Sequence, residues 1–258
     1  MIQLIACDID GTLLRNGATE IDPRLFRQIR RLKEKGILFC PTSGRQYDSL
    51  RLLFRPIAQE LFCICENGAL TFDRHGTVLA KNAMEHTAAL ELAEDILRIP
   101  QAEVLISGEN MSYLVPKHET IVRIVRDGLK NNVTLLKAAE DIPEEIVKVS
   151  AFCPEGIDRA QEMLQNKWGS RFQAAIAGDC WLDFSSLHSD KGAAVRGLCQ
   201  KLGIPLQNVM AFGDNYNDLP VLRIVGAPYL MCSAADELRR QFPRQCSSVT
   251  EILETLLL

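Results

Sequence analysis

Residues 4–12 read Leu-Ile-Ala-Cys-Asp-Ile-Asp-Gly-Thr and place two carboxylates at the end of an apolar stretch. The apolar residues are typical of a buried strand, and Gly11 permits a sharp turn after it. Because Asp8 and Asp10 are two residues apart, strand periodicity directs both carboxylates to one side. Two like charges this close favour a bridging divalent cation or a proton on one of them. A simple polar turn explains the same residues equally well, since Asp and Gly are ordinary turn formers.

Three further polar segments follow predicted strands or open a predicted helix. They are Pro-Thr-Ser-Gly-Arg at 41–45, Ser-Asp-Lys-Gly at 189–192 and Gly-Asp-Asn-Tyr-Asn-Asp at 213–218. The first combines a hydroxyl, a glycine and an arginine, which suit an oxyanion. The second places a lysine in the first turn of a helix, against the helix dipole, where a phosphate ligand would suit it. Each segment alone is compatible with caps and turns, but together at the carboxyl ends of strands they predict a magnesium and phosphate site.

Hydrophobic periodicity predicts alternating strands and helices at both ends of the chain. Asp22 and Pro23 predict the start of a helix that Gly36 ends. The elements predicted after it are strand 37–40, helix 46–53, and strands 61–65, 69–72 and 77–81. Near the C-terminus they are helix 190–202, strand 208–212, helix 218–225, strand 228–231, helix 234–241 and a helix from Ser248. This order predicts a doubly wound, mostly parallel α/β sheet of the Rossmann-like kind.

The middle of the chain has a different order, in which paired strands are separated by helices. The predicted elements are helix 86–98, strands 102–107 and 111–115, helix 118–130, strand 146–152, helix 157–168, and strands 171–177 and 180–184. Such an order indicates an α+β unit with a mostly antiparallel sheet. We therefore expect a discontinuous core of residues 1–81 and 185–258, with residues 82–184 inserted as a second domain.

Charge supports this division and bears on the kind of partner. Within 82–184, ten basic and 17 acidic residues give a net charge of −7, and 19 basic against 16 acidic residues elsewhere give +3. The whole chain of 258 residues carries −4, which argues against a nucleic-acid partner. No apolar run approaches the roughly 20 residues of a membrane span, so we expect no membrane partner.

The start of the chain and its cysteines bear on where the protein resides. Met1 leads almost directly into the first strand, which leaves no room for a signal peptide. Several of the nine cysteines lie in apolar, strand-like runs, as is typical of buried reduced thiols. We therefore expect a cytoplasmic protein.

The four polar segments resemble, in order, the four motifs of the haloacid dehalogenase superfamily of phosphotransferases. The matching residues are Asp-x-Asp-Gly-Thr at 8–12, Ser-Gly-Arg at 43–45, Lys-Gly at 191–192 and Gly-Asp-x-x-Asn-Asp at 213–218. The long interval between the second and third motifs is similar to the Cof-type (subfamily IIB) sugar-phosphatase branch, which carries a large cap of the C2B type there. Glu-Asn-Gly-Ala at 66–69 also resembles that branch. The resemblance covers nearly the whole chain and implies a catalytic core of 1–81 and 185–258 with a cap at 82–184.

The resemblance implies an Mg²⁺-dependent phosphatase that hydrolyses small phosphomonoesters, such as sugar phosphates, through an aspartyl-phosphate. In this interpretation Asp8 is the nucleophile, Asp10 is the general acid and base, and Lys191 neutralises phosphoryl charge. The implied metal ligands are Asp8, Asp10 through its backbone carbonyl, Asp214, and Asp218, which acts through water or instead orients Lys191. The residues expected to hold phosphoryl oxygens or substrate are Ser43, Gly44, Arg45, Lys191 and Asn217. Arg45 has the alternative role of tying down a loop.

Two other functions fit the motifs, namely a phosphosugar mutase of the phosphomannomutase type and a non-catalytic protein that binds a phosphorylated metabolite. Asp10 favours a phosphatase or mutase, because pump-type members of the superfamily have threonine at that position. A mutase binds phosphate at both ends of its substrate and needs cationic cap residues. The candidates are Lys148, Arg159, Lys167 and Arg171, in a segment where acid outnumbers base. Every chemical position of the motifs is filled, which favours catalysis over binding alone.

Overall fold

The computed structural model describes residues 1–15, 17–177 and 179–258, without the side chain of Arg159. The chain divides into two compact units, which are Met1–Ala80 together with Asp190–Leu258, and Lys81–Ser189. The sequence places the junctions at 81/82 and 184/185. The second junction lies further along the chain because the last strand of the inserted unit continues through Ser186 rather than ending at Phe184.

The elements of the described residues follow in chain order. The strands are β1 (Leu4–Cys7), β2 (Leu38–Pro41), β3 (Cys63–Cys65), β4 (Leu70–Phe72), β5 (Val78–Lys81), β6 (Glu103–Ser107), β7 (Ser112–Leu114), β8 (Val133–Leu135), β9 (Lys148–Phe152), β10 (Phe172–Ala177), β11 (Trp181–Ser186), β12 (Val209–Gly213), β13 (Ala227–Met231) and β14 (Gln245–Cys246). The helices are α1 (Pro23–Glu34), α2 (Tyr47–Leu53), α3 (His86–Leu97), α4 (Glu119–Arg123), α5 (Asp158–Trp168), α6 (Lys191–Leu202), α7 (Leu219–Leu222), α8 (Asp236–Arg239) and α9 (Val249–Leu257).

The core unit is built on a parallel sheet of strand order β14-β13-β12-β1-β2. Leu4 and Ala6 of β1 pack in one buried cluster with Val195 and Leu198 of α6. Helix α1 begins at Pro23 behind the capping side chain of Asp22, and it packs against α9. A smaller sheet, β3-β4-β5, belongs to the same part of the chain. The predicted doubly wound α/β core is confirmed.

The inserted unit is built on a six-stranded sheet of order β10-β11-β9-β6-β7-β8. Its ladders are antiparallel except for the parallel pair β7–β8. Helices α3 and α5 bury Ile96, Leu164 and Trp168 in the main cluster of this unit. Ile121 of helix α4 and Val125 of the turn after it lie in a second, smaller cluster. The predicted α+β character of the insertion is confirmed.

The structure differs from the predicted elements in three respects. The helix predicted at 118–130 is regular only over α4, because the Leu129 N–H donates to the Ile124 carbonyl five residues earlier (2.9 Å) and widens the last turn. The sequence pattern predicts no strand at β8 or β14, because three and two residues are too few to show an alternation. Helices α7 and α8 are single turns, shorter than the predicted 218–225 and 234–241. Within the described ranges, the helices are too short or too polar to cross a membrane.

Candidate active site

Asp8 stands directly beyond β1, which lies between β12 and β2 in the parallel core sheet. Its N–H donates to the carbonyl of Phe212 in β12 (3.0 Å), so the backbone is held by the neighbouring strand. The side chain is buried, and Oδ1 accepts a hydrogen bond from Lys191 (2.6 Å). Oδ2 is also buried and receives no hydrogen bond from any residue that the structure describes. The Asp8 carboxylate therefore has one oxygen held and one oxygen available to a cation or a phosphorus centre.

Lys191 is the first residue of α6 and lies completely inside the core unit. Asp190 caps the helix by accepting a hydrogen bond from the Ala193 N–H (2.7 Å), which places Lys191 in the first turn. Its Nζ lies 2.6 Å from both Asp8 Oδ1 and Asp218 Oδ1. Burial opposes the charge of Lys191, but the carboxylates of Asp218 and Asp8 outweigh it and raise the pKa of the ammonium above its ordinary value. The lysine therefore remains a cation between two acids.

Asp214 follows β12 and lies beside the turn after β1. Its Oδ1 accepts a hydrogen bond from the Thr12 hydroxyl (3.1 Å). A Cβ added at Gly11 would lie 2.1 Å from Asp214 Oδ2, so only glycine leaves room for this carboxylate. Gly11 also has a φ of +91°, a conformation that other residues rarely adopt. The absence of a side chain at Gly11 therefore leaves the space that the Asp214 carboxylate occupies.

Asp218 is fully buried and uses both carboxylate oxygens within the protein. Oδ1 accepts from Lys191, and Oδ2 accepts from the backbone N–H groups of Asp214 (2.9 Å) and Asn215 (3.1 Å). These contacts fix the loop after β12 and orient the lysine. Of the two roles expected for Asp218, the orientation of Lys191 is the one that its contacts favour.

The three acids form a cluster suited to a divalent cation. One oxygen each from Asp8, Asp214 and Asp218 lies within 4.8 Å of the others. Burial, followed by the charge of Asp218, raises the pKa of Asp8 to about 8, and the same causes raise the pKa of Asp214. A hard cation relieves this repulsion, and the open Asp8 Oδ2 offers it a ligand. The donor set therefore fits Mg²⁺.

The carboxylate of Asp10 lies outside this cluster, because β1 ends at Cys7 and strand periodicity does not extend to residue 10. Asp10 forms a bidentate ion pair with Arg45, with Nε to Oδ2 at 2.7 Å and Nη2 to Oδ1 at 2.6 Å. Asp10 is largely exposed, whereas Asp8 is buried. The two aspartates of the motif therefore have different environments.

Ser43 and Gly44 form the loop after β2. The Ser43 N–H donates to the Ile64 carbonyl (2.9 Å), and its Oγ accepts from the Arg45 N–H (3.2 Å). Asn217 Nδ2 donates to Asn67 Oδ1 (3.1 Å), and the amide of Asn67 lies against Gly44. Asn67 thus links two residues that the motifs predict as phosphoryl ligands.

The structure brings Asp8, Lys191, Asp214 and Asp218 into direct contact or close proximity, and it pairs Asp10 with Arg45. Sequence reasoning did not assign roles to Thr12 and Asn67. Thr12 lies inside the first motif, so its proximity to the site was foreseeable, although its bond to Asp214 was not. Asn67 is part of an Asn-Gly dipeptide, a turn signal that carries no information about the distant partner.

The parallel core sheet, the inserted α+β unit and the acids at the strand ends place the chain in the class of Rossmann-like enzymes. Residues 5–252 match the family of haloacid dehalogenase-like hydrolases. Because this match spans nearly the whole chain, the protein belongs to that family and is a hydrolase.

Three known proteins are similar to this chain over most of its length. One is the 5-amino-6-(5-phospho-D-ribitylamino)uracil phosphatase YbjI of Escherichia coli K12, 27% identical over 90% of this chain and 86% of that protein. Another is the HMP-PP phosphatase of Escherichia fergusonii, 26% identical over 94% of this chain and 89% of that protein. A solved structure of the HAD subclass IIB sugar phosphatase BT4131 matches with a TM-score of 0.82 and 17% identity, covering 99% of this chain and 100% of the other. The last likeness concerns the fold.

Proposed function

We propose that the protein is an Mg²⁺-dependent phosphatase that hydrolyses small phosphomonoesters, such as sugar phosphates, through an aspartyl-phosphate. The observation that carries the proposal is the carboxylate of Asp8, which has one oxygen bound to buried Lys191 and the other without a donor. A nucleophile needs this combination of a fixed orientation and a free oxygen. The two similar curated proteins are named for small phosphorylated compounds, which supports the substrate class.

In this mechanism Asp8 attacks phosphorus, and the bond between phosphorus and the leaving oxygen breaks. Asp10 donates a proton to that oxygen, then accepts one from the water that hydrolyses the aspartyl-phosphate, which releases phosphate and restores Asp8. Arg45 engages both oxygens of Asp10, and opening one of these bonds would free an oxygen to face the leaving group.

The phosphoryl oxygens would be held by Ser43, the backbone at Gly44, Lys191 and Asn217. Asp8, the backbone carbonyl of Asp10, and Asp214 would hold Mg²⁺, with Asp218 acting through Lys191 or a water. Bound Mg²⁺ would neutralise phosphoryl charge and favour the ionised form of Asp8. Arg45 would change partner from Asp10 to substrate as the reaction begins, which unites the two roles expected for it.

The alternative of a phosphosugar mutase receives less support from the inserted unit. Three of its four candidate cations pair with acids of that unit, namely Lys148 with Asp183, Lys167 with Asp95, and Arg171 with Glu85 and Glu91. The side chain of Arg159 lies outside the described residues. The pairs leave less cationic charge for a second phosphate.

We also propose a cytoplasmic location, since all nine cysteines are free thiols.

The test is phosphate release by the purified chain from sugar phosphates, nucleotides and phosphorylated cofactors, with Mg²⁺ and without a bisphosphate activator. Asp8→Asn should lower the rate at least ~10³-fold, as expected for loss of a catalytic nucleophile. Asp236→Asn, an exposed change outside the cluster, serves as the control and should retain wild-type turnover. Near-normal hydrolysis by Asp8→Asn would contradict the assignment of Asp8 as nucleophile. Isomerisation of a hexose phosphate without phosphate release would favour the mutase.

A further inference from the structure

The turn at Glu66–Gly68 has an uncommon backbone. Three consecutive residues have positive φ angles, +50° at Glu66, +54° at Asn67 and +100° at Gly68. Glycine adopts this region readily and asparagine tolerates it, but glutamate rarely does. Such strain persists where surrounding contacts over-determine the conformation, which is common near functional sites.

Contacts from two motif segments hold this turn in place. The Glu66 N–H donates to the Arg45 carbonyl (3.1 Å), and the Asn67 N–H donates to the Ser43 carbonyl (3.0 Å). On the other side, a Cβ added at Gly68 would lie 2.3 Å from the carbonyl oxygen of Asp190, immediately before Lys191. The turn is therefore wedged between the Ser43–Arg45 loop and the start of α6.

The side chain of Asn67 reaches a third motif segment. Its Oδ1 accepts a hydrogen bond from Asn217 Nδ2 (3.1 Å). Its Oδ1 and Nδ2 also lie 3.1 and 3.2 Å from the position that a Cβ on Gly44 would occupy. The amide of Asn67 thus lies between Gly44 and Asn217, and its bond fixes the rotation of the Asn217 amide.

We propose that Asn67 is a positioning residue that presets Asn217 and the Gly44 backbone for a phosphoryl group. The inference rests on the proposed function, in which those two groups hold phosphoryl oxygens. Donors aligned before the substrate arrives need no reorganisation during the reaction, so their alignment favours the transition state. The left-handed conformation is explained by the same role, because it directs the Asn67 amide to this position while its N–H binds Ser43.

The test begins with Asn67→Gly, which removes the amide while keeping a residue suited to positive φ. We expect the inhibition constant for orthovanadate to weaken about five- to tenfold, the worth of one hydrogen bond, with a loss in kcat rather than in folding. In the ¹⁵N spectrum, the Asn217 side-chain NH₂ resonance, identified by its loss in Asn217→Ala, should shift. In the Asn217→Ala background, Asn67→Gly should add little, because the two residues act as one unit.

Lys130→Gly is the matched control, because Lys130 also has a positive φ (+59°) and belongs to the other unit. It should leave vanadate inhibition unchanged. An unchanged Asn217 resonance in Asn67→Gly, or losses that add fully in the double variant, would overturn the positioning role while leaving the phosphatase intact. A wild-type chain that neither releases phosphate nor responds to vanadate would overturn the proposed function and the phosphoryl role of Asn67 together.

Discussion

The ion pair of Asp10 with Arg45 shows that the environment of a motif residue depends on its individual contacts. Both side chains occur in motifs, and strand periodicity alone predicts that Asp10 points to the same side as Asp8. In the structure the chain has already left β1, and the guanidinium binds both oxygens of Asp10 in a fork geometry. The pair therefore fixes the orientation of the Asp10 carboxylate.

Replacement of Asp10 should therefore affect substrates according to their leaving groups. We expect Asp10→Ala to lower kcat for an alkyl phosphate ~10²-fold or more, within the range of general acid catalysis. The loss should be smallest for p-nitrophenyl phosphate, whose leaving group needs little protonation. Arg45→Lys keeps the charge but not the fork, so it should follow the same trend with smaller losses. Equal losses for both substrates would contradict the acid role of Asp10.

The raised pKa of Asp8 makes stability depend on pH in metal-free buffer. Because burial and Asp218 raise this pKa from 3.8 to about 8, the folded protein binds the proton more tightly than the unfolded chain. The stabilisation from this group is full below pH ~4 and is lost as the pH rises through 8. Wild type minus Asp8→Asn, compared by urea unfolding in EDTA between pH 5 and 8.5, should show this decline. A pH-independent difference would refute the shift.

At the scale of elements, the sequence predicts at which strand ends the candidate site lies. It does not predict which side chains of different elements contact one another there. Asp8, Ser43 and Asp214 each follow a strand of one parallel sheet, and the carboxyl ends of such strands meet at one edge. A strand followed by a polar residue is a local pattern, so this part of the site can be predicted from the sequence. The bond from Asn217 to Asn67 spans 150 residues, and the fit of Asp214 against Gly11 depends on packing. No local pattern encodes such long-range contacts.

Two glycines offer a matched test of this interlocking. A Cβ at Gly213, the last residue of β12, would lie 2.4 Å from Asp218 Cβ and Cγ, whereas one at Gly197 in α6 would meet nothing within 4 Å. Gly213→Ala should displace Asp218, release Lys191 and reduce both activity and unfolding free energy. Gly197→Ala should keep activity and stabilise α6 by up to ~1 kcal/mol. Equal behaviour of the two variants in urea unfolding and phosphate release would contradict the packing argument.

The core unit is formed by two distant segments of the chain, Met1–Ala80 and Asp190–Leu258, which contact each other. Asp8 and Lys191 are 183 residues apart in sequence, and Asp214 lies further still. Both chain segments must be folded before these side chains meet, so the unfolded chain has no comparable cluster for a cation. A cation that binds here binds the folded state alone.

Mg²⁺ should therefore stabilise the protein as well as activate it. At 100 times its dissociation constant, a ligand specific for the folded state adds about 2.7 kcal/mol, which calorimetry detects as a higher Tm than in EDTA. Oxygen ligands favour Mg²⁺ over softer metals, and Ca²⁺ should activate poorly because its looser coordination misplaces the phosphoryl group. Asp214→Asn should lose the Mg²⁺-dependent rise in Tm, whereas Asp236→Asn, an exposed change outside the cluster, should retain it. Full activity in EDTA, or an Mg²⁺ response that survives Asp214→Asn, would show that the acids serve another purpose.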